Sequence, residues 1–284
     1  ARDPTLNPFL IGDLDARGLD WSRSTTGSLS TEGLLTGRLI ELPAGPVRTS
    51  ARAQLESRRL DSVSLRGGEA TARELGRDRA GVSATVDVPI ASRRREALDA
   101  LGDLSLNLNA EAEELSDFGG LYTFGAGVNW SPVSELDFLV SYTLEQGAPT
   151  VAQLGDPVIE TPRVTVFDYV TGQTVEATVI EGGDPSLRAD ERSVFKIGAT
   201  WRPAIEDVDL SVTANYVVTR TDDPVYGFPT VTAELQAAFP ERFERDGAGR
   251  LIRLDSRPVN FARSDREEFR WGFDLSKTLQ PTEA

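Results

Sequence analysis

Residues 194–202 read VFKIGATWR, and they alternate in character at every step. The larger apolar side chains, Phe195, Ile197 and Trp201, share one parity with Ala199, whereas Lys196, Gly198, Thr200 and Arg202 share the other. Successive side chains of a β-strand point to opposite faces. The stretch therefore predicts a strand with one apolar face, one polar face and an aromatic ring near each end.

The same alternation recurs along the chain. The segments that show it are 47–56, 82–88, 104–111, 122–130, 137–145, 194–202, 208–216 and 268–275. With 39% hydrophobic residues, a ten-residue alternation arises by chance in roughly one window in a thousand, so the recurrence is a signal. Residues 22–42 are predicted as a further strand, although they alternate poorly. The fold class is therefore all-β, with about nine antiparallel strands.

The connectors between these strands alternate in length. Those at 43–45, 131–135 and 203–207 are short and rich in turn residues, whereas 57–77, 146–192 and 221–258 are predicted as long loops. Long loops on one rim and short turns on the other are typical of a transmembrane β-barrel, in which the short turns are periplasmic and the long loops extracellular.

Aromatic residues follow the same division between the two rims. Trp130 and Trp201 precede short turns, and we expect Tyr122, Tyr142 and Tyr216 near the opposite rim, as in the two aromatic girdles of a membrane barrel. An antiparallel sandwich with one solvated face would give the same alternation. Strand length, loop asymmetry and aromatic placement favour a partial transmembrane barrel over that sandwich.

The amino-acid composition and the net charge exclude several classes of function. The 284 residues carry a net charge of −15 and contain no His, Cys or Met. Disulfides, thiolate metal sites and His-dependent triads are excluded, so an enzyme is not expected, nor are a cofactor or a bound metal. The acidity argues against nucleic acid as a partner. Because no Met is present, we interpret the chain as a processed piece or fragment of a longer protein.

Two segments resemble signatures of the TonB-dependent outer-membrane receptors. Residues 145–154, EQGAPTVAQL, resemble the family's Arg-Ala-Pro-Thr-x-x-Glu-Leu motif, and residues 183–192, GDPSLRADER, resemble its Gly-Asn-Pro-Asp-Leu-Lys-Pro-Glu-Arg segment. The positions that carry the resemblance are Gly147, Ala148, Pro149, Asp184, Pro185, Leu187 and Arg188. The sequence departs from the family pattern at three positions: Gly147 replaces Arg, Asp184 replaces Asn, and Ala189 replaces Pro. The loop at 226–261 also looks like loops of proteobacterial members.

The resemblance implies a receptor in the outer membrane of a Gram-negative cell, active in TonB-energised uptake of a scarce solute such as a siderophore, vitamin or carbohydrate. The implied partners are outer-membrane lipid, a small-molecule ligand and, through an N-terminal part missing from this chain, the TonB complex. We expect residues 1–284 to form part of the barrel domain, without the plug domain or the TonB box. The alternatives are a passive porin-like or secretion barrel and a secreted β-rich binding or adhesion module.

Three further features are candidates for local roles, and no ligand-binding residue is assigned. In the loop at 225–243, Val231, Leu235, Ala238 and Phe239 have helical spacing, which predicts a short helix that covers an apolar cluster or acts as a lid. Arg93–Arg95 form a basic run, which is a solvated turn or a contact to lipid phosphate. We interpret the acidic residues as lumen wall rather than a cation or catalytic site: Asp103, Glu111, Glu113, Asp222 and Asp223.

Overall fold

The computed structural model describes residues 21–66 and 69–277. The strands are β1 (Trp21–Leu42), β2 (Gly45–Arg66), β3 (Glu69–Ala91), β4 (Asp103–Leu115), β5 (Gly119–Val133), β6 (Leu136–Gly147), β7 (Ile159–Asp168), β8 (Gln173–Glu181), β9 (Asp190–Trp201), β10 (Val208–Asp222), β11 (Val225–Tyr226), β12 (Phe243–Arg245), β13 (Leu251–Asp255), β14 (Val259–Asn260) and β15 (Arg263–Lys277). The helices are α1 (Val151–Gly155) and α2 (Ala233–Ala238), and short 3-10 turns lie at Arg93–Arg95, Asp99–Leu101 and Pro240–Arg242. Residues 1–20 and 278–284, which are predicted to belong to the same domain, lie outside the described residues.

Nine strands form one antiparallel sheet in the order β1-β2-β3-β4-β5-β6-β9-β10-β15. These are the nine strands that the sequence predicts, including the poorly alternating segment at 22–42. The sheet is open, with β1 at one edge and β15 at the other. Among the described residues, no helix is both long enough and apolar enough to span a bilayer.

The register places the apolar side chains of neighbouring strands on the same face. Phe138 pairs with Ala199, Ala199 with Ala214, and Ala214 with Trp271, so one row of apolar residues crosses four strands. Partners in a sheet share a face, and the alternation repeats along each strand. The result is a continuous apolar band over one face of the sheet.

Nothing within the described part of the chain covers this apolar band. Phe124 is 53% exposed, Ile197 39% and Trp271 69%. The buried hydrophobic cluster of the chain lies elsewhere, in the loops. The sheet is therefore a single layer, and the sandwich alternative is wrong because no second sheet formed by residues 21–66 and 69–277 packs against the apolar face.

The opposite face is polar and lined by small residues. Asn109 pairs with Gly125, Asn107 with Gly127, and Asn215 with Gly198, so an amide lies across a glycine at three places. A Cβ added at Gly125 would meet the Asn109 Oδ1 at 2.1 Å. The glycines thus let the amides lie close to the sheet, where Asn107 donates to the neighbouring Asp87 at 2.7 Å, so this face offers hydrogen-bonding groups at mid-height.

The two rims differ as the sequence predicts, with one exception. One rim, here called the turn rim, carries the connectors 43–44, 92–102, 134–135 and 202–207. The other, the loop rim, carries the segments 148–189 and 223–262. The predicted long loop at 57–77 is wrong, because β2 and β3 run through it in one long hairpin; residues 67–68 of that segment lie outside the described residues.

The hairpin and the neighbouring β1 extend beyond the other strands, because their backbone pairing continues where the side-chain alternation ends. β2 and β3 have 22 and 23 residues, whereas β4 has 13, a difference of about ten residues or roughly 33 Å of strand. In this extension both faces are polar, and Arg59 donates to both oxygens of Asp78 at 3.0 and 3.1 Å. A pattern search cannot find a strand whose two faces are both solvated.

The aromatic rings follow the predicted girdles in part. Trp130 and Trp201 lie close to the turn rim, and the Trp130 indole donates to the Leu101 carbonyl at 2.8 Å. Tyr122 lies near the loop rim, close to the start of β5. Tyr142 and Tyr216 lie near the middle of β6 and β10, so their predicted position at the rim is wrong.

Gly102 is the tightest point of the turn rim. Its φ is +80°, and an added Cβ would meet the Ser131 carbonyl oxygen at 2.2 Å. We expect Gly102→Ala to lower the free energy of unfolding by about 1–3 kcal/mol, because the substitution combines a strained backbone with an overlap against β5. Equilibrium urea unfolding of the protein in detergent micelles measures this loss.

Gly119→Ala is the matched control for Gly102→Ala. Gly119 also has a positive φ, +109°, but nothing lies within 4 Å of an added Cβ. Its substitution introduces dihedral strain alone, and the loss should be clearly smaller. Equal losses at the two positions would contradict the role given to the contact with Ser131.

Candidate functional site

The two long connectors at the loop rim fold into one unit. We name residues 148–189 loop A and residues 223–262 loop B. Strands β7 and β8 of loop A join β12 and β13 of loop B in a four-stranded sheet, and β13 pairs with β8 in parallel. The buried core of this loop unit is formed by Ala177, Val179, Phe243, Leu251 and Leu254. Both loops contribute to that core, so neither has a complete hydrophobic core alone.

Asp168 is the polar centre of the loop unit. Its side chain is fully buried, and both Arg245 Nη atoms donate to its carboxylate at 2.8 Å. The Gln236 amide and the Thr171 hydroxyl donate at 2.8 Å, and the Val170 backbone N–H donates at 3.1 Å. A buried carboxylate is stable only when it is paired and hydrogen-bonded in this way. Asp168 thus joins the end of β7 in loop A to α2 and β12 in loop B.

These contacts fix the charge of Asp168. The Arg245 guanidinium lowers the pKa of the carboxyl well below its usual range, against the opposing effect of burial. Hydrogen bonds from Gln236, Thr171 and Val170 act in the same direction as Arg245. The group is therefore ionised throughout the physiological range, and its role is structural.

A second ionic cluster lies where the two loops meet. Arg257 donates to both oxygens of Asp255 at 2.9 and 2.7 Å, and Arg242 reaches Asp255 at 3.2 Å and Asp184 at 3.4 Å. Burial opposes the charged form of Asp184, but hydrogen bonds from Ser186 and the nearby guanidinium groups outweigh it, so the pKa of Asp184 is lowered. Asp184 of loop A is thereby held by two arginines of loop B.

The two family-like segments lie against each other. The Gly183 N–H donates to the Asp156 carbonyl at 2.9 Å, and the Asp184 N–H donates to the Gln153 carbonyl at 2.7 Å. A Cβ on Gly183 would meet the Asp156 backbone nitrogen at 2.6 Å, which explains the glycine at this position. Thr150 and Gln153 form a capping box at the start of α1. The second segment therefore crosses the end of the helix that the first segment forms.

The other family-like positions contact neighbouring structure. Gly147 pairs with Asp190 across β6 and β9, and Ala148 lies at the loop rim over β2 and β3. The buried Pro149 accepts a hydrogen bond at its carbonyl from Arg77 at 2.7 Å. Leu187 is buried and Pro185 is exposed.

Arg188 joins loop A to the start of loop B. Its guanidinium pairs with Asp223, and its backbone exchanges hydrogen bonds with the Asn260 side chain at 3.0 and 3.1 Å. A ligand role for any of the family-like positions stays a prediction.

Loop A bends over the polar face of the sheet. Its residue Asp156 forms an ion pair with Arg73, and Pro149 accepts from Arg77. Arg73 and Arg77 belong to the same parity of β3 as Ser83 and Thr85, which is the polar face. The loop unit is therefore anchored on the side of the sheet that faces away from the apolar band.

The remaining sequence candidates have structural partners. Helix α2 is shorter than the predicted pattern: Val231 precedes it and packs on the loop core, and its buried residue is Gln236. Phe239 follows α2 and contacts Phe228 and Phe261 edge-on, with ring centroids 6.1 and 5.4 Å apart. The segment thus covers an apolar cluster of its own loop.

The charged candidates are paired as well. In the basic run, Arg93 donates to Asp103 at 2.9 Å and Arg95 pairs with Glu41 at 2.6 Å. The carboxylates pair as follows: Glu111 and Glu113 with Arg79, Asp222 with Arg263, and Asp223 with Arg188. The described residues contain no group of three His, Cys, Asp or Glu side chains placed to hold a metal ion.

The sequence matches no protein-family profile and no curated protein. Solved structures are similar in fold. The siderophore receptor PirA from Acinetobacter baumannii has a TM-score of 0.56 at 10% identity, over 89% of this chain and 34% of the receptor. The ferric enterobactin receptor PfeA from Pseudomonas aeruginosa, as its Q482A mutant with enterobactin, has a TM-score of 0.63 at 10% identity, over 87% of this chain and 33% of the receptor.

The chain has the fold of an outer-membrane receptor barrel. The RagAB peptide transporter is also similar, with a TM-score of 0.54 at 10% identity, over 93% of this chain and 29% of the transporter. The chain thus spans about a third of the length of these proteins. The open nine-stranded sheet corresponds to part of a barrel wall, and the predicted fold class is confirmed.

Asp168→Ala tests the ion pair between Asp168 of loop A and Arg245 of loop B. The substitution removes a fully buried carboxylate and its hydrogen bonds and leaves the partly buried Arg245 without that partner, so we expect a loss of about 3 kcal/mol in the opening free energy of the loop unit. Hydrogen exchange of the β8 and β13 amides measures this loss, while the amides of β4 to β6 should keep their protection. Glu160→Ala is the control, since the Glu160–Arg253 pair is exposed and should contribute at most about 1 kcal/mol.

The depressed pKa of Asp168 sets the pH dependence of the loop unit. A carboxyl whose pKa is lower in the folded state stabilises the fold above its unfolded value of about 4, and that stability is lost as the pH falls below it. We expect the native methyl resonances of the buried Leu251 and Leu254 to be constant between about pH 8 and pH 5 and to weaken below about pH 4. In Asp168→Asn this decline should be shallower. An unchanged decline would show that the pH dependence of the loop unit does not come from Asp168.

Proposed function

We propose that this chain is part of the wall and mouth of an outer-membrane receptor that takes up a scarce, bulky solute with energy supplied through TonB. The observation that carries the proposal is the apolar band, which is continuous across nine strands and is covered by no described element. Such a band needs hydrocarbon around it. The polar face, over which the loop unit folds, then lines the route of the solute.

The architecture of the loop unit supports a receptor rather than an open passive pore. Two loops separated by strands β9 and β10 share one core and one buried ion pair, so they present a fixed surface at the mouth. A fixed surface suits recognition of a particular solute, whereas a passive pore needs an unobstructed opening. The secreted adhesion alternative loses its support because a soluble protein would have to cover the apolar face.

The solute class and the partners are part of the same proposal. The similar solved proteins include siderophore receptors and a peptide transporter rather than enzymes, which supports an uptake role without catalysis. We favour a siderophore-like solute, with TonB and outer-membrane lipid as partners in a Gram-negative cell. Residues 1–284 then belong to one barrel domain whose remaining strands pair with β1 and β15, because unpaired backbone groups are too costly in lipid.

Ile197→Arg tests whether the apolar band faces hydrocarbon. Ile197 lies at mid-strand in β9, so a charge there should cost about 2–4 kcal/mol in the free energy of folding into lipid vesicles. Thr200→Arg, on the polar face of the same strand, should cost little because the new side chain reaches water. Urea titration of the vesicle-inserted protein measures both values.

The comparison between the two arginine variants decides the proposal. A large loss for Ile197→Arg alone supports a lipid-facing band. Equal losses would contradict the assignment of the apolar face to lipid, and a larger loss for Thr200→Arg would reverse the assignment of the two faces. Protein that stays in the aqueous phase when mixed with vesicles would favour the secreted alternative.

A further inference from the structure

A small polar crevice lies on the polar face where loop A leaves the sheet. Its volume is about 250 Å³. The crevice is lined by Glu56 and Arg58 of β2, Arg77 and Arg79 of β3, Glu113 and Leu115 of β4, and Ala148 of loop A. It is therefore bounded by three neighbouring strands and by a residue of the first family-like segment. The crevice is separate from the Asp168–Arg245 pair of the loop unit and from the apolar band.

The register of β2 and β3 brings like charges together in this crevice. Arg58 pairs directly with Arg77, and Glu56 pairs directly with Arg79. Like charges directly opposite each other destabilise a sheet, so Arg58 and Arg77 break a local rule of strand pairing. Violations of such rules in an otherwise consistent fold are expected at functional sites.

Each arginine is paired with a carboxylate, but these pairs use only some of its five N–H donors. Arg77 is held by Asp117, to which it donates at 2.7 and 2.9 Å, and by the Pro149 carbonyl. Arg58 pairs only with Glu56 among the described residues, and its side chain is 69% exposed. Arg79 pairs with Glu111 and Glu113, but its buried Nε finds no acceptor in the described part of the chain.

A guanidinium has five N–H donors and no acceptor, and its planar fork suits oxygen pairs. The unused N–H groups of Arg58 and Arg79 outnumber the one buried carboxylate oxygen of the crevice that lacks a hydrogen-bond partner among the described residues, Glu113 Oε2, so they favour an occupant that brings acceptors. A negative charge between Arg58 and Arg77 would also remove their repulsion. The crevice is small, so the occupant is a single oxyanion group and not a whole bulky solute.

We propose that this crevice is an oxyanion subsite, which binds a carboxylate or phosphate group through Arg58 and Arg79 while Asp117 and loop A hold Arg77 in place. This proposal rests on the proposed function only for how a solute would reach the crevice. Binding of an anion can be measured without any transport. If the chain is the mouth of a receptor, the subsite implies a solute with at least one exposed anionic group.

Titration of the protein in detergent micelles with succinate and, separately, with inorganic phosphate tests the subsite at constant ionic strength. The readout is the arginine Nε–Hε resonances in nitrogen-15 NMR spectra. We expect saturable shifts of Arg58 and Arg79, and an apparent dissociation constant at least about tenfold weaker in Arg58→Gln and in Arg79→Gln, the loss of one charge-assisted hydrogen bond. The stronger of the two probes identifies the carboxylate or phosphate preference.

Arg52→Gln is the matched control for the subsite variants. Arg52 lies on the same face of β2, pairs with Glu32 at 3.3 Å and does not line the crevice. Its substitution should leave the dissociation constant unchanged. Equal weakening in Arg52→Gln, or the absence of saturable shifts with both probes, would overturn the proposal. Because Arg58 is largely exposed, Arg58→Gln keeps the test informative if Arg79→Gln does not fold. Neither outcome of the titration changes the expected insertion of the protein into vesicles, so the subsite and the proposed function are tested independently.

Discussion

The structure depends on one constraint: every strand must be hydrogen-bonded to a neighbouring strand. It must meet this constraint while one face of each strand remains apolar. In hydrocarbon an unpaired N–H or C=O costs several kcal/mol, so a chain that spans lipid with strands must pair each of them. The nine-stranded meander meets that need for its seven inner strands. Pairing in register then decides the rest, because it aligns the apolar residues of all strands on one face and leaves the other face for polar groups.

The same constraint explains why the loop unit differs from the sheet. At the loop rim the backbone can hydrogen bond to water, so stability there comes from a hydrophobic core and buried ion pairs, as in a soluble domain. The parallel pairing of β13 with β8 and the pair between Asp168 and Arg245 join residues about 75 positions apart in the chain. The chain thus combines a lipid-adapted sheet with a water-adapted loop unit.

The sequence predicts the strands of the sheet better than those of the loop unit, because the two parts are stabilised in different ways. Period-two alternation finds eight of the nine strands of the sheet, since each of these has one apolar and one polar face, whereas β1 alternates poorly. It misses β7, β8, β12 and β13, whose short ladders depend on partners in another loop. It also misses the outer part of the β2–β3 hairpin, where adjacent Arg58 and Arg59 end the alternation. The family-like segments mark the correct region, but their contacts with Asp156, Arg77 and the loop B arginines require coordinates.

The shared core of loops A and B has a consequence for how the protein reaches its final form. Each β-hairpin of the sheet is local in sequence and can form early, whereas the loop unit needs β9 and β10 in place before its two halves meet. Contacts that span long stretches of chain form slowly because loop closure must come first. The mouth is therefore completed last. A newly assembled barrel should pass through a stage in which its walls are in place and its entrance is still unstructured, and quality-control proteases would find their cleavage sites there.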